Sequence, residues 1–200
     1  MLIKRPLSYG TADLSICIPA YMRVEELEQC LRSLIEQVNT ANAEIIIMLN
    51  GASLDVERLA HEWSDANAKV GIYKKEKNIA EEIFLVPFYD LDCRSTVVFS
   101  DDDIALPGFI DRLIVELIHS DLVISNYKRV DVTCKRITDH SYLSDVKFTK
   151  FIDPNELLST FGHRIQFISC VAINLKHFKS SKEPDKHILD IYGHSYSCYI

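Results

Sequence analysis

A chain of 200 residues with 48% hydrophobic and 26% charged side chains has the balance of a globular protein that buries a core, which excludes general disorder. The formal net charge of -7 excludes a broad phosphate-binding surface, and with it nucleic acid as a partner, because that affinity rests on clustered Lys and Arg. A small anionic ligand stays compatible with an acidic chain if a metal ion or a few oriented N–H groups supply positive potential locally.

The first ten residues, MLIKRPLSYG, carry two basic side chains but no apolar stretch behind them, so they do not read as a secretory signal. The chain has no run of ~18 apolar residues that would cross a membrane. We therefore expect a cytoplasmic protein that meets a membrane, if at all, peripherally and at its inner face. The six cysteines, Cys17, Cys30, Cys93, Cys134, Cys170 and Cys198, are scattered. Cys17, Cys30 and Cys170 sit inside apolar patterns, where Cys acts as a small hydrophobe, and reduced thiols are expected. No C-x-x-C pair occurs and the seven histidines lack zinc-finger spacing, which sets a structural zinc site aside.

In chain order, LSICIPA at 14–20 is a continuous apolar run that suits a strand buried on both faces. Behind it Val24, Leu27, Cys30, Leu31, Leu34, Ile35 and Val38 recur on one face of a helix. EIIIML at 44–49 is a second buried strand, broken by Asn50-Gly51. Strand, helix and strand in about forty residues make a right-handed βαβ unit with parallel strands. Val56, Leu59, Ala60 and Trp63 mark a second helix, and KVGIY at 69–73 a third strand. Residues 79–91 read as helical up to Leu85 and interrupted by Pro87. TVVFS at 96–100 is a further strand running into Asp101-Asp102-Asp103.

Pro107-Gly108 then opens a helix with its stripe at Phe109, Ile110, Leu113, Ile114, Leu117 and Ile118, and DLVISNY at 121–127 supplies another strand. Asp153-Pro154-x-Glu156 has the form of an N-cap, a first-turn proline and a capping-box partner, with Gly162 closing that helix. FISCVAIN at 167–174 is the last strand expected, and the polar stretch around 179–187 a loop. With no internal repeat or linker, we expect one α/β domain over 1–200, a mostly parallel central sheet with helices on both faces. Its first 110 residues or so would form a nucleotide-binding half and 111–200 an acceptor-side half. The chain stops at Tyr199-Ile200 inside an aromatic-rich stretch without helix-stop residues, as it would if a C-terminal part were missing.

Three consecutive carboxylates at the end of an apolar strand repel one another unless a cation or hydrogen-bond donors compensate. In open α/β sheets ligands bind at the carboxyl ends of strands, and hard oxygen ligands on a loop suit Mg²⁺ or Mn²⁺. The competing reading is a solvated turn whose Asp residues cap the helix after Pro107. Ile18-Pro19-Ala20-Tyr21-x-Arg23 sets a ring and a guanidinium at a strand end, where they could meet a base and a diphosphate or form a plain loop. Leu49-Asn50-Gly51-Ala52-Ser53 reads by itself as a turn. G-x-G-x-x-G, G-x-x-x-x-G-K-[ST] and G-x-S-x-G are all absent, which removes dinucleotide oxidoreductases, P-loop enzymes and the usual hydrolases.

Taken together, S-I-C-I-P-A-Y-x-R at 15–23, N-G-A-S at 50–53, Lys77-Asn78 and F-S-D-D-D-I-A-L-P-G at 99–108 resemble the glycosyltransferase family 2 enzymes of the GT-A fold. Residues 167–174 followed by YGHSY at 192–196 look most like its abequosyltransferase-like branch, which adds sugars to bacterial surface polysaccharides. The resemblance spans about residues 13–198. It implies transfer with inversion from a nucleoside-diphosphate sugar to a glycan or lipid-linked glycan acceptor, assisted by Mn²⁺ or Mg²⁺. It also implies donor contacts from Pro19, Ala20, Tyr21, Arg23, Asn50, Asn78, Asp101 and Asp102, and a metal on Asp103. The catalytic base would lie among Asp185, Asp190 and His194, with Asp190 or His194 favoured.

The chain departs from the family where Leu49 replaces the base-reading Asp, where Ser100 replaces the first carboxylate of D-x-D-D, and where the usual Glu-Asp pair is missing. Those departures keep open a catalytically inactive binding or partner subunit. A sugar nucleotidyltransferase would need a Gly-rich basic loop near the first strand, yet residues 19–28 hold no Gly and one Arg.

Overall fold

A computed structural model describes residues 1–131, 137–139, 150–162 and 168–178. In chain order its strands are β1 (Leu2–Lys4), β2 (Leu14–Ala20), β3 (Ala43–Asn50), β4 (Val70–Lys75), β5 (Ser95–Val98), β6 (Leu122–Ile124), β7 (Arg129–Val130), β8 (Ile137–Asp139) and β9 (Val171–Asn174). Its α-helices are α1 (Val24–Thr40), α2 (Leu54–Ala66), α3 (Val86–Tyr89), α4 (Phe109–Leu117), α5 (Pro154–Phe161) and α6 (Leu175–Phe178).

Seven strands form one sheet in the order β1-β4-β3-β2-β5-β9-β6. The inner strands β4, β3, β2 and β5 are parallel, while β1 and β9 run antiparallel to their neighbours. Strand β6 is antiparallel to β9 and so shares the direction of β5. The sheet is thus mixed α/β with a mostly parallel centre. From β2 the chain winds outward through β3 and β4, then returns to place β5 on the other side of β2. That reversal makes the gap beyond the carboxyl ends of β2 and β5 the topological switch point, where loops diverge and a crevice opens.

Alternation along the strands feeds two cores. Leu14, Ile16 and Ile18 of β2 and Ile45, Ile47 and Leu49 of β3 face the apolar stripes of α1, α2 and α4. Cys17, Ile46, Met48 and Tyr73 face the opposite layer of Ile83, Val86, Leu91 and Leu175. Helices therefore cover both faces, as the continuous apolar runs require. On α1 the stripe Leu27, Cys30, Leu31, Leu34 and Val38 is buried, each large apolar side chain contributing about 1.5–3 kcal/mol.

Three expectations need correction, and one strand, β1, was not expected. Pro87 starts rather than interrupts a helix: residues Ala80–Leu85 form a 3₁₀ helix, and Pro87 sits in the first turn of α3, where its missing N–H costs nothing. Residues Ile168–Cys170 are a 3₁₀ turn, so the last strand is only Val171–Asn174. The strand expected over 121–127 is confined to Leu122–Ile124. Strand β1 was too short to show a period. Asp153 does cap α5, accepting the Asn155 N–H at 2.8 Å. Among the described residues no helix is long and apolar enough to cross a membrane.

Candidate functional site

The loops after β2, β3, β4 and β5 meet at one rim of the sheet because those strands are parallel. The Ser53 N–H donates to Tyr21 O at 2.9 Å, tying the loop after β2 to the one after β3. Ser53 also caps α2, its hydroxyl accepting from Val56 N. The third loop is pinned through Asn50, whose Oδ1 accepts the Ile79 N–H at 2.9 Å and whose Nδ2 donates to Asn78 Oδ1 at 3.0 Å. Asn78 Oδ1 accepts the Ala80 N–H as well. Gly51 adopts φ +64°, and a Cβ there would lie 2.5 Å from Asn78 N, so the close approach of the two loops needs glycine.

Asn50 and Asn78 are consequently committed to loop structure, which is more than the simple turn that Asn-Gly suggests. Leu49 points into the core and is 0% exposed, so the side chain standing at the base-reading position has no access to the rim. Tyr21 is on the rim and exposed, beside Pro19 and Ala20 at the end of β2.

The acidic turn after β5 lies across the switch point from Arg23, the residue just ahead of α1. Arg23 Nη1 contacts Asp102 Oδ2 at 2.5 Å and Asp101 Oδ1 at 3.4 Å. Asp102 Oδ1 accepts from the Ser100 hydroxyl. Asp103 Oδ2 accepts from Ser169 Oγ at 2.5 Å, and that same oxygen of Ser169 accepts the Ser100 N–H at 2.8 Å. Ser169 escaped the sequence reading because it hides in the apolar run FISCVAIN. A lone hydroxyl in such a run was the signal.

The helix-cap reading of the acidic turn fails. Helix α4 begins after Gly108, which has φ +81° and provides no side-chain cap. The three carboxylates instead face Arg23 and Ser169.

Burial pushes the Asp101 carboxyl up to about 6, against the pull of Arg23 and with help from Asp102. Burial also raises Asp103, opposed by the Ser169 hydrogen bond and reinforced by Asp102. Beneath the turn, Cys30 donates to Ser100 O, and its thiol is pushed well up by burial and then by Asp101, Asp103 and Asp102. Cys170 reaches about 12 for the same two reasons, burial and Asp103. Both thiols therefore favour the protonated form at neutral pH.

A hard divalent cation fits this donor set. Asp103 has one oxygen held by Ser169, while Oδ1 has no partner among the described residues. No group of three His, Cys, Asp or Glu side chains that could hold a metal occurs among the described residues. A cation on Asp103 would complete its shell with ligand phosphate oxygens and water, as Mg²⁺ commonly does. Asp185, Asp190 and His194 lie outside the described residues, as does all of the chain beyond residue 178.

A sequence model described as glycosyl transferase family 2 matches residues 15–84. Glucosyl-3-phosphoglycerate synthase from Mycobacterium tuberculosis, solved with Mn²⁺ and UDP-glucose, shares the fold at a TM-score of 0.52 and 16% identity, over 84% of this chain and 57% of that one. Another structure of that synthase gives 0.52 at 18% identity, covering 84% and 60%. A mannosyltransferase from Pyrobaculum calidifontis with GDP-Man and Mn²⁺ aligns at 14% identity and a TM-score of 0.49, over 64% of this chain and 39% of that one. The chain thus spans less than two thirds of the length of each of these proteins. No curated protein sequence matches it.

Proposed function

We propose that the chain belongs to a glycosyltransferase that binds a nucleoside-diphosphate sugar at the rim of the parallel strands and moves the sugar to an acceptor hydroxyl with inversion. The observation that carries this reading is the convergence of Arg23 and Asp101–Asp103 on the switch point between β2 and β5. A guanidinium recognises phosphate oxygens in a planar fork, and an open carboxylate oxygen beside it suits a diphosphate-bound cation. The family match over 15–84 covers the loops that carry Tyr21, Arg23, Asn50 and Asn78.

In this reading Tyr21 offers a ring face to the base, Arg23 engages the diphosphate, and Asn50 with Asn78 shapes the wall between them. Mn²⁺ or Mg²⁺ on Asp103 would supply Lewis-acid stabilisation of the departing diphosphate. Asp101 and Asp102 border the ribose and the phosphates. Asp190 or His194, with Asp185 as the next candidate, takes the proton of the attacking hydroxyl. The acceptor is a glycan or lipid-linked glycan of bacterial surface polysaccharide synthesis at the cytoplasmic face of the membrane, and the abequosyltransferase-like branch is the nearest in motif.

A second reading, a partner subunit that binds without catalysing, is favoured by Leu49, which is buried, by Ser100 and by the missing Glu-Asp pair. Thermal-shift screening of UDP-, GDP-, dTDP- and CDP-sugars with and without Mn²⁺ tests the proposal, since a specific ligand stabilises by mass action. One sugar nucleotide should raise the melting temperature, and only with metal. Turnover that falls ~10²-fold in Asp190→Asn or His194→Ala at unchanged donor affinity would identify the base. Donor binding with no transfer to any acceptor would leave the partner-subunit reading.

A further inference from the structure

Arg23 occupies ground that two ligands would contest. A single nitrogen, Nη1, spans Asp102 Oδ2 and Asp101 Oδ1, so the guanidinium is the counter-ion of the acidic turn. This pair does not hold the fold together: the side chains of Arg23 and Asp102 are 48% and 45% exposed, and ion pairs in water contribute little to stability. Nor is the side chain of Arg23 tied down by its helix, since it precedes Val24 with extended backbone and makes no cap hydrogen bond. Its backbone, in contrast, is next to an anchored loop, through the Ser53 N–H to Tyr21 O bond. The result is a half-exposed cation on an anchored stem.

Resting on the nucleotide-sugar reading above, we infer that Arg23 keeps a bare divalent cation off the acidic turn, and that the diphosphate admits the metal by drawing Arg23 away. A guanidinium resting on Asp101 and Asp102 repels a metal approaching the adjacent Asp103 and neutralises much of the charge that would attract it. A diphosphate offers the guanidinium two parallel hydrogen bonds, a better match than its split contact with two different carboxylates. When Arg23 turns to the phosphates, the turn regains its negative charge as phosphate oxygens arrive to complete the shell. Linkage then requires that diphosphate and metal each raise the affinity for the other by the same factor.

The test measures bare Mn²⁺ binding by the electron paramagnetic resonance signal of the free ion, for the wild type, Arg23→Gln and Arg23→Lys. Separately, UDP and GDP are titrated calorimetrically with and without saturating Mn²⁺. The expectation is roughly 10-fold tighter binding of bare Mn²⁺ by Arg23→Gln, from removal of the like charge that rests on the acidic turn. Arg23→Lys, which keeps the charge, should stay near the wild type. The factor by which Mn²⁺ strengthens nucleotide binding should shrink in Arg23→Gln. The Arg23→Lys comparison separates loss of charge from loss of folding. Bare Mn²⁺ binding in Arg23→Gln that equals or falls below the wild type overturns the inference. Failure of every nucleotide to bind the wild type would instead sink the donor-binding reading, and the bare-metal comparison would still decide the role of Arg23.

Discussion

Two carboxylates, one buried and one half-buried, lie at opposite ends of the same sheet, and the hydrogen bonding around them differs. Glu44, near the start of β3, is 0% exposed and has both oxygens occupied, Oε1 by Ser15 Oγ at 2.8 Å and Oε2 by Ser8 Oγ at 3.0 Å. Asp103, beyond the end of β5, has one oxygen held by Ser169 and the other without a partner among the described residues. Burial raises both, and serine hydroxyls pull both back. The difference teaches how to tell a structural acid from one available to a ligand: desolvation is common to both, and the count of satisfied oxygens separates them.

The sharpest way to break the comparison is to remove the open carboxylate. Asp103→Ala should lower metal-dependent nucleoside-diphosphate affinity by ~10²-fold or more, beyond the 10- to 100-fold range expected for supporting residues. Calorimetric titration of UDP or GDP with Mn²⁺ reads this directly, and metal-independent binding of unchanged strength would refute the metal role. Next in size is Ser169→Ala, which frees Asp103 Oδ2 and also orphans the Ser100 N–H. A loss of about 10- to 100-fold in Mn²⁺-supported affinity is expected, the range for groups that orient a ligand carboxylate. Equal affinity in wild type and variant would show that Asp103 needs no orienting partner.

A pH titration comes third. Burial holds Asp101 protonated up to about pH 6, and it raises Asp103 in the same direction. Affinity for a metal–nucleotide complex should therefore fall as pH drops through about 6, because protons compete for the same oxygens. A flat profile from pH 5 to 8 would contradict it.

The smallest effect belongs to the closed site. Glu44 is raised above its unfolded value, so its ionisation works against folding: its favourable contribution is complete below the unfolded pKa and is lost as pH rises through the folded one. Glu44→Gln should therefore gain melting temperature relative to the wild type as pH rises from 4 to 8, with nucleotide affinity untouched. Scanning calorimetry across that range checks the sign, and a change in nucleotide binding would break the contrast between the two ends.

How much of this could be read from the residue string depends on the range of the interactions. Strands β2, β3, β4 and β5 and helices α1, α2 and α4 were legible because each announces itself through its own period, apolar runs for two-sided burial and three-to-four steps for one-sided burial. The acidic turn was legible for a similar reason: three adjacent carboxylates after an apolar strand raise a question of charge that the local sequence poses unaided.

What the string could not decide was which charges meet. Arg23 and Asp102 lie 79 positions apart, and Ser169 and Asp103 are separated by 66. Those pairings exist only because β5 crosses to the far side of β2 and β9 lies antiparallel beside it. The fate of Pro87 was tertiary in the same sense, since the 3₁₀ turn before it ends where Val86 enters the second core and leaves the proline in a first turn. Periodicity and composition, which are sums over neighbours in sequence, determined the layers of this protein. The charge balance of its candidate site, which is a matter of distances across the sheet, was decided by strand order alone.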